Sequence, residues 1–175
     1  MKNVSIIVTC EEQEQQLRDL LPELLSLQYG GDFEVIVVDK MHDKDLEEWL
    51  EDMEANHSHL SHTFCPASAR GVDIQKLALT LGAKAANFDW IAILPVDVKL
   101  QKEDWLKELI GYLNEETDVV VALTDRKRRM NWFSSYLFRR RFSLFRSISA
   151  IILCSRNSLL QGRAVKLSKQ QIIKL

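Results

Sequence analysis

FEVIVVD at residues 33–39 is the stretch on which the fold turns. Its apolar residues are mostly β-branched and run without alternation, the mark of a short strand covered on both faces, as in parallel sheets. VSIIV at 4–8 reads the same way. Between them, Leu17, Leu20, Leu21, Leu24 and Leu25 recur at spacings of three and four, which predicts a helix from about Glu12 to Leu27. Pro22 falls inside it and is expected to kink or restart it. Gly30-Gly31 marks the turn into the second strand. Downstream, DKDLEEWLEDM at 43–53 predicts an acidic amphipathic helix with Leu46, Trp49, Leu50 and Met53 inward. LSHTFC at 60–65 reads as a third, weaker strand and residues 73–86 as a helix. WIAILPVD at 90–97 is a fourth strand, EDWLKELIGYL at 103–113 a helix and TDVVVAL at 117–123 a fifth strand. This alternation predicts a three-layer α/β/α sandwich with a mostly parallel central sheet and right-handed crossovers. Past residue 125 the pattern loosens. Residues 130–147 suit a helix whose arginines are mixed with its apolar side chains, SAIILCSR suits a strand, and LSKQQIIKL a short terminal helix.

The chain of 175 residues suits one domain. Residues 1–125 are read as its α/β core and 126–175 as a basic extension packed on the same domain. Cys10, Cys65 and Cys154 are far apart and odd in number, which argues against a disulfide framework or zinc site and for buried small hydrophobes. The N-terminal apolar run is too short for a signal peptide, and ISAIILC at 148–154 is too short to cross a bilayer. A cytoplasmic protein is expected, with a peripheral place on the inner face of the plasma membrane open to it. All 25 acidic residues lie at or before Asp125, whereas residues 126–175 hold 13 Lys or Arg and no acid. An acidic body with a basic tail predicts an anionic partner for the tail.

Ligands of open parallel sheets bind beyond the carboxyl ends of the strands. The first strand ends in Thr9, Cys10, Glu11 and Glu12, the second in Asp39, the third near Ser68-Ala69-Arg70 and the fourth in Pro95-Val96-Asp97. Two aspartates, a threonine and an arginine therefore converge on one edge. Neither GxGxxG nor GxxxxGK[ST] occurs, which argues against a dinucleotide fold and a P-loop. HSHLSH at 57–62 has alternating histidines but lacks a carboxylate or cysteine to complete a metal site, and a solvated edge is expected there.

SIIVTCEEQEQQL at 5–17, YGGDFEVIVVDKMHDKDL at 29–46 and GAKAANFDWIAILPVDVKLQKEDWL at 82–106 follow one another in an order and spacing that resembles the family-2 glycosyltransferases of GT-A fold. SAR at 68–70 with KLALT at 76–80, and SRN at 155–157, resemble a bacterial membrane-associated branch. The resemblance runs from about residue 3 to 160 and implies transfer of a sugar from a nucleotide diphosphate sugar to an acceptor, in glycan or cell-envelope synthesis. It implies that Thr9 and Glu11 lie where the base binds, that Asp39 hydrogen-bonds base or ribose, and that Arg70 pairs with a phosphate. It also implies that Asp97 holds a divalent cation, Mg²⁺ or Mn²⁺, against the diphosphate.

The departures are specific. The family's DxD reads Pro95-Val96-Asp97, its second aspartate after the second strand is Lys40, its Tyr-Asn is Glu11-Glu12, and no acid follows Asp125 to serve as a catalytic base. A truncated member is expected, and its chemistry is open between a transferase and a degenerate nucleotide-sugar-binding or membrane-surface scaffold acting through a partner protein. RKRRMNWFSSYLFRRRFSLFR at 126–146 mixes eight basic residues with aromatics, which suits an anionic membrane surface better than nucleic acid, with a solvated face as the plain reading.

Overall fold

The computed structural model describes residues 1–66, 73–100, 103–113, 119–123, 150–160 and 171–174. Strand β1 (Val4–Cys10) leads into helix α1 (Glu14–Leu25), then β2 (Phe33–Asp39), α2 (Lys44–Asn56), β3 (Leu60–Phe64), α3 (Ile74–Ala85), β4 (Trp90–Pro95) and α4 (Trp105–Gly111). They are followed by β5 (Val119–Leu123), β6 (Ala150–Ser155), the single turn of helix α5 (Arg156–Leu160) and β7 (Gln171–Lys174). The strands form one sheet in the order β3-β2-β1-β4-β6-β5-β7. The β3-β2-β1-β4 half is parallel throughout, and β6 enters antiparallel between β4 and β5. The expected α/β sandwich with a mostly parallel sheet is therefore present.

Residue alternation along the strands builds two separate cores. Val4, Ile6, Val8 and Cys10 of β1, with Val35 and Val37 of β2, pack against Leu17, Leu21 and Leu24 of α1 and Leu46 and Leu50 of α2. The α4 residues Trp105, Leu106 and Leu109 join that core. Ile7, Ile36, Val38 and Ile91 face the other way, onto Ala78 and Ala83 of α3. Right-handed crossovers require α1 and α2 on one face and α3 on the other, because β1, β2 and β3 progress in one direction and the chain then returns past β1 to β4. Gly82 lets α3 approach closely, since a Cβ there would lie 2.9 Å from Ile7 Cγ2 and 3.2 Å from Val38 Cγ2.

Polar groups close the elements. Asp43 caps α2 by accepting from the Asp45 and Leu46 amides, and Asp73 caps α3 by accepting from the Lys76 amide. Arg156 donates through Nε to Ala83 O at 2.9 Å and through Nη2 to Lys84 O at 3.3 Å, so the SRN segment caps the carbonyl end of α3. At the amino edge, buried Ser5 donates to Glu34 Oε1 at 2.6 Å, and the same carboxylate accepts from Asn87.

Three expectations change. Helix α1 continues unbroken through Pro22 instead of restarting there: Pro22 is exposed, and its carbonyl still accepts from the Ser26 amide at 3.1 Å. Residues 171–174, read as helix, form β7 parallel to β5. The open edge of β5 offers unpaired backbone groups, and the β-branched Ile172-Ile173 pair suits extended chain. The histidines at 57–62 are half-buried: His62 Nδ1 lies 2.7 Å from Glu54 Oε1 and His57 Nδ1 3.0 Å from Met53 O, while His59 packs edge-on against Phe33 with its Nε2 buried and without a hydrogen-bond partner among the described residues. A helix at 130–147 lies outside the described residues.

Candidate nucleotide site at the carboxyl edge

β1 is the point where the strand order reverses, with β2 on one side and β4 on the other. The register fixes which residues meet there: Thr9 stands between Val38 and Pro95, and Cys10 opposite Asp39. Thr9, Asp39 and the Pro95–Asp97 turn therefore share one edge, as the strand-end reading expects. Asp97 is half-buried in a turn closed by the Val98 amide donating to Pro95 O at 3.1 Å. Arg70 lies outside the described residues.

Asp39 is only 3% exposed. Its Oδ1 accepts from the Met41 amide at 2.8 Å and its Oδ2 from the Asp43 amide at 2.6 Å. The carboxylate thus shapes the 39–43 loop, in which His42 adopts a left-handed φ of 54°. That conformation lays the His42 ring flat on Phe64, with centroids 3.7 Å apart and planes within 2°, and leaves His42 Nε2 3.4 Å from Glu47. Two accepted bonds leave a carboxylate further lone pairs, so loop capping and ligand binding are compatible at Asp39.

Thr9 and Glu11 are drawn into a chain of polar contacts. Lys40 Nζ donates to Glu11 Oε2 at 2.7 Å and to Gln75 Oε1 at 3.1 Å, and Gln75 Nε2 donates to Thr9 Oγ1 at 3.3 Å. Lys40 and Glu11 stand where the resembling family carries an aspartate and a tyrosine, and here they neutralise each other. Gln75, at the start of α3, is the participant that sequence reasoning missed. It sits on a polar position of an amphipathic helix, and only the fold brings it to Thr9.

Cys10 lies beneath this edge, fully buried. Burial first, and the nearby Asp39 charge second, raise its thiol pKa to about 11. Burial and Asp39 also raise that of Cys65. Both are protonated, unreactive thiols at neutral pH.

The cation implied at Asp97 would find a minimal set of side-chain oxygens among these residues. Pro95 offers no side-chain oxygen, and among the described residues no group of three His, Cys, Asp or Glu side chains is placed to hold a metal ion. A Mg²⁺ site of this kind uses one or two carboxylates, with water and substrate phosphates completing the shell, and Asp97 supplies one.

The profile described as "Glycosyl transferase family 2" matches residues 5–161. The chain belongs to this family. No curated protein matches this family-2 chain in sequence. Among solved structures it is similar to glucosyl-3-phosphoglycerate synthase from Mycobacterium tuberculosis in complex with Mn²⁺, UDP and glucosyl-3-phosphoglycerate. The TM-score is 0.67 at 16% identity, over 99% of this chain and 70% of that one. It is also similar to the mannosyltransferase PcManGT from Pyrobaculum calidifontis in complex with GDP-Man and Mn²⁺, with TM-score 0.59 at 19% identity, over 70% of this chain and 35% of that one. S. aureus TarS in complex with UDP-GlcNAc gives TM-score 0.53 at 22% identity, over 75% of this chain and 37% of that one. These likenesses establish the GT-A type of fold. The family-2 chain spans about a third of the length of the mannosyltransferase and TarS structures. Among its described residues no helix is long and apolar enough to cross a membrane.

Proposed function

We propose that this family-2 chain forms the donor-binding part of a glycosyltransferase, taking a nucleotide diphosphate sugar at the carboxyl edge of β1, β2 and β4. The sugar would pass to an acceptor in glycan or cell-envelope synthesis by displacement at the anomeric carbon, the acceptor oxygen forming the new bond as the nucleoside diphosphate leaves. The observation that carries this reading is the register that sets Thr9, Asp39 and the Pro95–Asp97 turn level at the strand reversal. Asp39 would hold the 39–43 loop and receive a base or ribose hydrogen, Thr9 and Glu11 would flank the base, and Arg70 would meet a phosphate. A Mg²⁺ or Mn²⁺ ion at Asp97 would find one side-chain carboxylate in Pro95-Val96-Asp97.

The same depleted motif favours a second reading, nucleotide-sugar binding without transfer. Calorimetric titration with UDP, GDP and their sugar conjugates tests the shared claim, and absence of binding to any of them sinks both readings. Release of free UDP or GDP from a bound sugar conjugate when acceptor extract is added separates transfer from binding alone.

The basic aromatic segment 126–146 would hold the protein peripherally at an anionic membrane surface, a reading its composition supports. Flotation with anionic vesicles checks it: unchanged binding after deletion of 126–146 would refute a membrane role.

A further inference from the structure

The loop after β2 holds one residue in a conformation that side chains rarely adopt. His42 has φ 54°, and the amides on either side of it, those of Met41 and Asp43, both donate to the Asp39 carboxylate. Asp39 therefore fixes the histidine from both flanks. The product is an imidazole laid flat on Phe64, with centroids 3.7 Å apart and planes within 2°. Ring pairs chosen for their own stability favour offset or edge-on contacts over such a face-to-face sandwich. The pair is also not core: 35% of the His42 side chain and 38% of Phe64 stay exposed, and Met41 beside them is 58% exposed. Phe64 is the register partner of Asp39 on β3, the edge strand. In the order β3-β2-β1-β4 the stack thus stands at the end of the carboxyl edge away from Asp97, which follows β4. The ends of β1 and β3 lie about 10 Å apart, two strand spacings, with the Asp39 strand between them.

We propose that His42, backed by Phe64, is the stacking platform for the base of the nucleotide. The proposal rests on the nucleotide-sugar reading above. Thr9, Glu11 and Asp39 offer that base hydrogen bonds and charge but no flat apolar surface. A nucleobase has flat faces that gain by leaving water for an aromatic ring, whichever base it is. A base bonded to Asp39 has β1 with Thr9 and Glu11 on one side and the β3 stack on the other. The diphosphate then runs toward Asp97, away from the rings. One carboxylate so builds two parts of the base site: it accepts a hydrogen from the ligand and holds the ring on which the ligand lies. The exposed Met41 thioether borders the same surface and suits contact with a π face.

The test joins calorimetric titration of the full chain with UDP and GDP, with and without Mn²⁺, to proton NMR of the bound nucleotide. The variants are His42→Gly, His42→Asn and Phe64→Leu. Glycine and asparagine tolerate φ 54° and lack the imidazole, so the loop is kept while the platform is lost. Both should weaken UDP and GDP about tenfold, within what one stacked base contributes. Phe64→Leu keeps an apolar backing and should cost less. In the unsubstituted protein the ring current of His42 should move the base protons of UDP upfield, and the ribose protons much less. The histidine variants should abolish that shift. Unchanged affinity in both histidine variants, a greater loss in Phe64→Leu than in His42→Gly, or base protons that do not move upfield on binding overturns the platform and leaves the nucleotide reading intact. The shift is read on the unsubstituted protein, so it decides the matter even if a variant fails to fold. Absence of UDP and GDP binding with and without Mn²⁺ overturns both.

Discussion

Asp39 shows how one residue serves the fold and the candidate site together. Its carboxylate accepts two loop amides at 2.8 and 2.6 Å beside a strand end. Asp39→Ala leaves those amides without their acceptor and should cost about 2 kcal/mol, with Asp39→Asn costing roughly half, as buried groups lose a partner. Urea unfolding measures this, and an Asp39→Ala protein as stable as its parent contradicts the capping role. The buried thiols set a second residue-scale expectation. Cys10 is pushed up to about 11 and Cys154 to about 12, both first by burial, against 9.0 for an unperturbed thiol. Above pH 9 the unfolded chain gives up protons that the folded chain retains. Stability contributed by these groups is thus complete below pH 9 and lost as pH rises toward 11–12, at no more than about 1.4 kcal/mol per pH unit for each thiol. Urea midpoints between pH 8 and 11 should fall more steeply for the parent than for a Cys10→Ala, Cys154→Ala variant, and parallel profiles contradict this. At this scale the site was partly legible. Thr9, Asp39 and Asp97 could be placed because strand ends are readable. The Glu11–Lys40 and Gln75–Thr9 contacts join residues 29 and 66 positions apart, and no local pattern announces them.

Among the elements, α3 depends most on close approach. Gly82 faces Ile7 and Val38, stiff buried side chains on two strands. Gly82→Val would gain a few tenths of a kcal/mol in helix propensity but would press its methyls into that layer. A loss of about 2–3 kcal/mol is expected from overpacking, measured by thermal or urea unfolding, and an unchanged midpoint would show that α3 can shift outward freely. Most elements were legible because apolar runs and three-four spacings are local signals: FEVIVVD and VSIIV became β2 and β1, and the leucines of 17–25 became the buried face of α1. The misreading at the C-terminal end has a tertiary cause. QIIK extends because β5 offers it an edge, which no residue near 171 reveals. The insertion of β6 between β4 and β5 is hidden for the same reason, since sequence order says nothing of which neighbours pair.

For the whole molecule, the strand reversal at β1 is the organising feature. It sets α1 and α2 on one face and α3 on the other, and it leaves the carboxyl edge of β1, β2 and β4 as the place for a ligand. The central claim is that a nucleotide diphosphate sits there. Amide hydrogen exchange with and without saturating UDP or GDP tests it most directly. The account predicts slower exchange in residues 9–13, 39–43 and 95–98, with the amino-edge segments 2–4, 31–34 and 87–90 unchanged. Protection confined to the amino edge, or no change in any segment at nucleotide saturation, would contradict it.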